Sequence, residues 1–336
     1  MIHHPIIITG QIKCYDTAGN EIPCSGTGQD AAISSGFPWP SPRFTVLNDL
    51  VHDHLTDLYW TKDVNLAEFP LAWQEAFDFI REMNTEKRFG FDGWRLPNRR
   101  ELQSLMSYQT KKPALPENHP FSNYYLGWYW TSTTSAVNTA YAWYIHLEGA
   151  RMFYGRKDQY CFLWPVRGTG NSLLAGTGQQ NCYDTKGKRI ECRKSDQDGE
   201  FRIGAKWPSP RFSIKDGVVF DCLTNLYWLQ EVDIIGVPVK WEEALASVHK
   251  LNAKQFLGIE RWRLPNINEL ESLVDCSQHS PALPANHPFK KLRDTYWSST
   301  SSFFETDWAW ALYLDKGARG VGYKPDKNFY IWPLFS

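Results

Sequence analysis

The chain has 336 residues, with 36 Lys plus Arg against 37 Asp plus Glu and a formal net charge of −1. So even a balance gives no whole-chain field for nucleic acid or an anionic membrane, and no apolar run approaches the roughly 20 residues of a membrane span. The 16 Trp, 16 Tyr and 19 Phe are a heavy aromatic load, suited to filling small cores and to building ligand platforms.

In chain order, residues 1–9 lack the basic start and apolar core of a signal peptide. Ile6-Ile7-Ile8 reads as an extended segment able to add a strand to a neighbour's sheet edge. Cys14 and Cys24 flank a Tyr-Asp-Thr-Ala-Gly-Asn stretch with the pattern of strand, tight turn and return strand. Two prolines in Trp39-Pro40-Ser41-Pro42-Arg43-Phe44 force an extended segment. A strand from Phe44 to Val51, a turn, and a second strand around Leu58 and Trp60 follow. Pro70 opens a helix in which Trp73, Phe77, Ile80 and Met83 keep a 3.6-residue period. In Trp94-Arg95-Leu96-Pro97-Asn98, the proline holds the backbone extended and Asn98 with Glu101 forms a capping box for a helix from Arg99 to Tyr108. Arg95 is placed to tie down a neighbouring loop. A long irregular segment then leads to short strands around Trp130, Trp143 and Trp164.

The whole pattern returns 168 residues later. Cys182 and Cys192 match the first cysteine pair, Trp207-Pro208-Ser209-Pro210-Arg211-Phe212 the proline segment, and Trp262-Arg263-Leu264-Pro265-Asn266 the helix entry capped by Glu269. The twin of the long helix carries Trp241, Leu245, Val248 and Leu251. Near Tyr129 and Tyr296 the register slips by one, and on the sequence it recovers by Gly149 and Gly317. A period this long is a tandem duplication of whole domains, each large enough for its own core. The expected boundaries are 1–168 and 177–336, with a Gly/Ser-containing linker at 169–176 whose Leu173-Leu174 pair packs on one copy.

Seven cysteines divide unevenly. Cys14–Cys24 and Cys182–Cys192 are expected to staple their hairpins, each worth about 3 kcal/mol by loop entropy. Cys222 and Cys276 occur only in the second copy and suggest a third bridge; Cys161 is left as a buried thiol. The ten-residue separations lack the close pairs of a zinc site, so an oxidising compartment is expected, and no metal or cofactor. Asp196-Gln197-Asp198-Gly199-Glu200 has part of a calcium loop but not its remaining ligands. His119 and His287 lie in matching Asn-His-Pro-Phe turns, where hydrogen bonding within the loop is the expected role.

Asp53-x-x-Thr56-Asp57-Leu58, Trp73-x-x-Ala76, Gly93-Trp94-Arg95-Leu96-Pro97-Asn98, Tyr129-Trp130-Thr131-Ser132-Thr133, Ala142-Trp143 and Trp164-Pro165-Val166-Arg167 occur in that order. This series resembles the Lcl C-terminal domain family (Legionella collagen-like protein, C-terminal), in both halves. The resemblance implies an α+β, C-type-lectin-like fold related to that of formylglycine-generating enzyme, with two helices and a loop-rich antiparallel sheet per domain. It also implies export from a bacterium, to the cell surface, periplasm or medium; the member behind the family name is an adhesin for sulfated glycosaminoglycans. No collagen-like stalk is present here, and the late cysteine pair of the oxidase is missing.

In such a fold the late region forms the exposed face, here 128–156 and 296–323. The candidate ligand-binding residues are Trp128, Asn138, Tyr141, Arg151, Tyr154 and Arg156 in the first copy, and Phe304, Asp307, Trp308, Arg319, Tyr323 and Lys324 in the second. Rings beside Arg and Lys suit a sugar, a sulfate group or a protein surface. Trp130, Trp143, Trp164, Trp297, Trp310 and Trp332 are expected in the core. The leading expectation is a non-enzymatic binding or adhesion protein for a carbohydrate or protein partner. A self-assembling subunit of an appendage, fibre or layer is the alternative, and a formylglycine-generating-type oxidase is third.

Overall fold

The computed structural model describes residues 6–336. The chain begins with a short hairpin of β1 (Cys14–Tyr15) and β2 (Glu21–Ile22) and a single helical turn, α1 (Asp30–Ile33). Next come β3 (Phe44–Leu47), β4 (Leu50–Asp53), β5 (Leu58–Thr61), the long helix α2 (Trp73–Thr85), β6 (Trp94–Arg95) and α3 (Arg99–Ser104). β7 (Trp128–Thr134), β8 (Tyr141–His146), β9 (Met152–Arg156) and β10 (Val166–Arg167) complete the first repeat. The second repeats the order with β11 (Cys182–Tyr183), β12 (Arg189–Ile190), α4 (Asp198–Phe201), β13 (Phe212–Lys215), β14 (Val218–Asp221) and β15 (Leu226–Leu229). It closes with α5 (Trp241–Ala253), α6 (Ile267–Ser272), β16 (Thr295–Ser301), β17 (Trp308–Tyr313), β18 (Ala318–Tyr323) and β19 (Leu334–Phe335).

The class is α+β, and each repeat combines helices with antiparallel sheets: one in the order β3-β4-β5-β10-β6 or β13-β14-β15-β19, the other a three-stranded meander, β7-β8-β9 or β16-β17-β18. The stretch expected as one strand from Phe44 to Val51 is two, because residues 48–49 turn the chain and pair Leu47 with Leu50. The long helix starts at Trp73, three residues after Pro70, and buries Trp73, Ala76, Phe77, Ile80 and Met83 as its period requires. Its twin buries Trp241, Ala244, Leu245 and Val248. The six framework tryptophans are all buried. Several also act as polar struts: the indole N–H of Trp73 donates to Thr131 O, that of Trp130 to Leu71 O and that of Trp164 to Thr61 O. Trp241, Trp297 and Trp332 donate in the same way to Ser298, Val239 and Leu229.

The compact units do not follow the repeat boundaries. One consists of residues 38–206, the other of residues 1–37 together with 207–336. The stretch expected as a linker is ordered by packing: Leu173 and Ala175 are buried and Ala175 bridges to Ala205. The body of the first repeat is thus completed by the hairpin that follows it, and that of the second by the hairpin at the start of the chain. Ile6-Ile7-Ile8 is accordingly not a loose strand. Ile6 lies in the core with Trp228, Leu270 and Trp332, and Ile7 bridges to Phe37.

Candidate functional site

Most motif residues serve the framework. Asp53 sits at the end of β4, where its carboxylate accepts from Leu55 N and Thr56 Oγ1 and receives the fork of Arg43 at 3.1 Å on both oxygens. Arg43 also donates to Ser104 O at the end of α3. Asp221, Thr224, Arg211 and Ser272 O repeat this knot. Asn98 caps α3 by accepting from Arg100 N and Glu101 N, while Glu101 accepts from Asn98 N and from the fork of Arg95 at 2.5 and 2.7 Å. Arg95 goes on to Gly168 O, so it does hold a loop. Arg263 and Glu269 match.

Disulfides join Cys14 to Cys24 and Cys182 to Cys192 as expected. The third does not form: Cys222 is exposed, Cys276 is buried, and no disulfide links them. Cys161 is a buried thiol pushed up to about 12 by burial. His119 and His287 do not hydrogen-bond their loops through the ring. They stack on Phe121 and Phe289 with Nδ1 buried and partnerless, and burial lowers both pKa values. The acidic run near α4 holds no calcium geometry: Asp198 Oδ2 accepts from Thr133 and Thr177, Asp196 pairs with Arg81, and Glu200 accepts from Lys194 N and Asp196 N. Among the described residues no group of His, Cys, Asp or Glu is placed to hold a metal ion.

The candidate ligand-binding residues separate according to strand register. Trp128 pairs with His146, Trp130 with Tyr144, Tyr144 with Phe153 and Tyr141 with Arg156. Side chains alternate across a strand, so Trp128, Tyr144, His146 and Phe153 share one face of the meander, while Tyr141, Tyr154 and Arg156 share the other. On the first face the Trp128 ring lies 4.5 Å from Tyr144 and 4.7 Å from His146, and the Arg151 guanidinium stands 6.0 Å from the Trp128 centroid. Phe153, opposite Tyr144 in the ladder, is 50% exposed, and its ring stacks on that of Tyr154 at 5.6 Å. His146 Nδ1 lies 3.0 Å from Glu148 N and 3.2 Å from Glu148 O, which fixes the ring against this turn. Burial, then Arg151, lowers the His146 pKa. On the opposite face Tyr154 packs on Trp143 at 5.0 Å and Arg156 pairs with Asp158. Asn138 is spent on its own turn, accepting from Ala140 N.

In the second unit the register corrects the sequence alignment. β17 and β18 pair Leu312 with Arg319 and Ala311 with Gly320, so Arg319 takes the place of Met152, not of Arg151. The one-residue slip persists past the Gly149 and Gly317 turns and is recovered only in the loops before Cys161 and Phe329, whose chain pairings with Leu71 and Val239 again match at 168. A shift of one residue turns every side chain to the other face. Arg319 is therefore inside, 3% exposed, donating to Asn268 Oδ1 and paired with Glu271. Lys324 is fully buried and corresponds to Lys157, not to a surface residue. Phe304, Asp307, Trp308 and Tyr323 remain accessible, with Trp308 and Tyr323 paired at 5.6 Å. Thr295, Ala311, Tyr313 and Gly320 occupy the positions of Trp128, Tyr144, His146 and Phe153. Tyr313 lies over Gly320, where a Cβ would come within 2.4 Å of the ring. Among the described residues, this aromatic face is built in residues 38–206 and not at the equivalent positions of the second copy. The sequence reading missed Tyr144, His146 and Phe153, although alternation outward from Trp128 and the exposed Arg151 points to them.

Lys157 and Lys324 bind the hairpins. Lys157 Nζ lies 4.0 Å from the Trp73 centroid and donates to Tyr183 O and Asp184 O; Lys324 Nζ lies 4.3 Å from Trp241 and donates to Tyr15 O, Asp16 O and Thr306 O. Burial pulls both down to about 7, against the nearby acidic side chains Asp184 for Lys157 and Asp16 and Asp307 for Lys324.

Comparison with family models matches the Lcl C-terminal domain at residues 49–167 and again at 217–334, more than half of the chain. No curated protein and no solved structure matches the chain. Neither matched stretch includes a disulfide hairpin; both include Asp53 or Asp221, the capped helix and the meander, while the Arg43 and Arg211 partners lie just before them. The chain belongs to the Lcl C-terminal domain family and carries two copies of that domain in tandem.

Proposed function

We propose that this is an exported, non-enzymatic binding protein of C-type-lectin-like fold, which engages a carbohydrate or a protein surface through the face of Trp128, Tyr144, His146, Arg151 and Phe153. The observation that carries the reading is the Trp128–Tyr144–His146 ring group flanked by the Arg151 guanidinium, with half-exposed Phe153 opposite Tyr144 in the strand ladder. Flat rings offer area at low entropic cost, and the Arg151 guanidinium supplies directional donors for hydroxyl, carboxylate or sulfate oxygens, with the imidazole as a second polar group. The register-equivalent residues of the second copy are Thr295, Ala311, Tyr313 and Gly320, so the first copy binds and the second does not bind in this way. Against the oxidase alternative, Cys161 is a buried thiol in no disulfide. The two disulfides are consistent with an oxidising, extracytoplasmic compartment, and no described helix is long and apolar enough to cross a membrane.

A glycan and glycosaminoglycan array, with binding to extracellular-matrix proteins measured in parallel, tests the reading on the full chain. Phe153→Ala and Arg151→Ala are each expected to weaken the best signal by about tenfold, the usual cost of about 1–2 kcal/mol for such contacts. Tyr323→Ala, on the second copy, is expected to leave it unchanged. Signals that survive both first-copy substitutions would refute this face.

A further inference from the structure

Residues 6–37 fill a socket on the 207–336 body. Asp30, fully buried, accepts through Oδ2 from Thr300 of the body and from Thr9 of its own segment. Gln11 exchanges both of its amide hydrogen bonds with the Ser301 backbone. Asn268 donates to Ile7 O, Asn266 to Ser35 O, Lys324 to Tyr15 O and Asp16 O, and Thr306 to Gly19 O. Gly19 combines a φ of +84° with a close approach: a Cβ there would come within 2.7 Å of Thr306 Oγ1.

Residues 174–205 meet the 38–168 body in the same way. Asp198 takes Thr133 and Thr177, Gln179 pairs with the Thr134 backbone, and Asn98 donates to Ile203 O. Arg100 donates to Gly176 O, Lys157 to Tyr183 O and Asp184 O, and Thr139 to Gly187 O. The bodies read the backbone of the segment and one Gln and one Asp that both segments carry; Ser35 adds bonds with Arg263 and Glu269 in one unit, and Asp196 pairs with Arg81 in the other. The unit holding 38–206 is continuous in sequence, but the other unit is assembled from two pieces joined only through it.

We propose that residues 6–37 are an exchangeable donor segment, and that the socket on the 207–336 body accepts this segment from a second copy of the chain as well as from its own. Exchange of an identical element makes no new contacts. Own and foreign occupancy then differ only in effective concentration, which the joint at Phe37–Pro38 sets for the segment's own socket. The socket and the segment must find each other after the whole intervening unit has been made, which leaves time for capture by another copy.

The test is refolding of the full chain, in a thiol–disulfide buffer, at about 1 µM and about 100 µM, which raises capture by a second copy relative to closure about a hundredfold. The expected result is monomer of 38.9 kDa from the dilute sample and dimers or longer multiples from the concentrated one, by light scattering on a sizing column. Mixed heavy- and light-isotope chains should yield cross-links from the exposed Lys13 of one chain to the 207–336 body of another. Asp30→Arg, which spoils the donor, and Thr300→Arg, which spoils the socket, should each remain monomeric alone and form a one-to-one dimer when refolded together. Monomer at both concentrations, or oligomers without the Lys13 cross-links, would overturn the proposal. The wild-type arm decides the matter even where a variant fails to fold.

Discussion

At the residue scale, the side chains that carry the family resemblance are spent on holding backbone. Asp53 has no accessible surface, and its oxygens are filled by the Arg43 fork, a threonine hydroxyl and a backbone N–H. Asp53→Asn removes the charge and leaves a buried guanidinium without its counterion. A loss of about 3–5 kcal/mol is expected. Denaturant titration of the single variant against the double Arg43→Met/Asp53→Leu variant checks this, with the double expected to recover much of the loss. Lys157 and Lys324 make a prediction about pH. Their pKa falls from the ordinary 10.5 to about 7 on folding, so between those values the unfolded chain binds more protons. The two lysines thus cost stability below pH 7 and cease to do so as pH rises toward 10. The denaturation midpoint of wild type is expected to gain on a Lys157→Met/Lys324→Met double variant between pH 7 and pH 9.

At the element scale, α3 and α6 are only six residues long and cannot persist on propensity alone. Their caps and the arginine forks on Glu101 and Glu269 define their first turns. Asn98→Ala is expected to cost about 1–2 kcal/mol by urea unfolding. Asn98→Asp is expected to recover little of this, because it keeps the acceptor for the N3 amide but loses the donor to Ile203 O and sets a second carboxylate beside Glu101. This motif could be read in the sequence because capping is local chemistry. The four-residue helices α1 and α4 could not, since one turn shows no period. Strand register was equally hidden. Repeated Gly-Ala-Arg letters align Arg151 with Arg319, while the hydrogen-bond ladder opposes Arg319 to Leu312 and turns it inward.

At the scale of the whole molecule, four cysteines are bridged and three remain thiols. Alkylation of the native chain without reductant is expected to modify Cys222 alone, and in denaturant Cys161, Cys222 and Cys276, as read by peptide mass spectrometry. A peptide linking Cys222 to Cys276 would contradict the structure. The hairpins also illustrate what a repeat cannot convey. Both segments carry the same Thr, Gln and Asp, so sequence similarity alone does not say which body each one completes.

Duplication, aromatic core, helix caps and the two hairpin bridges were determined by the sequence itself, because periodicity, capping and cysteine spacing act over a few residues or repeat as whole blocks. Three things were decided only in three dimensions: the pairing of hairpin with body, the inward turn of Arg319 and Lys324, and the gathering of Tyr144 and His146 around Trp128. Each depends on which strands and segments meet across long stretches of chain, and burial and register impose that choice only when the fold closes.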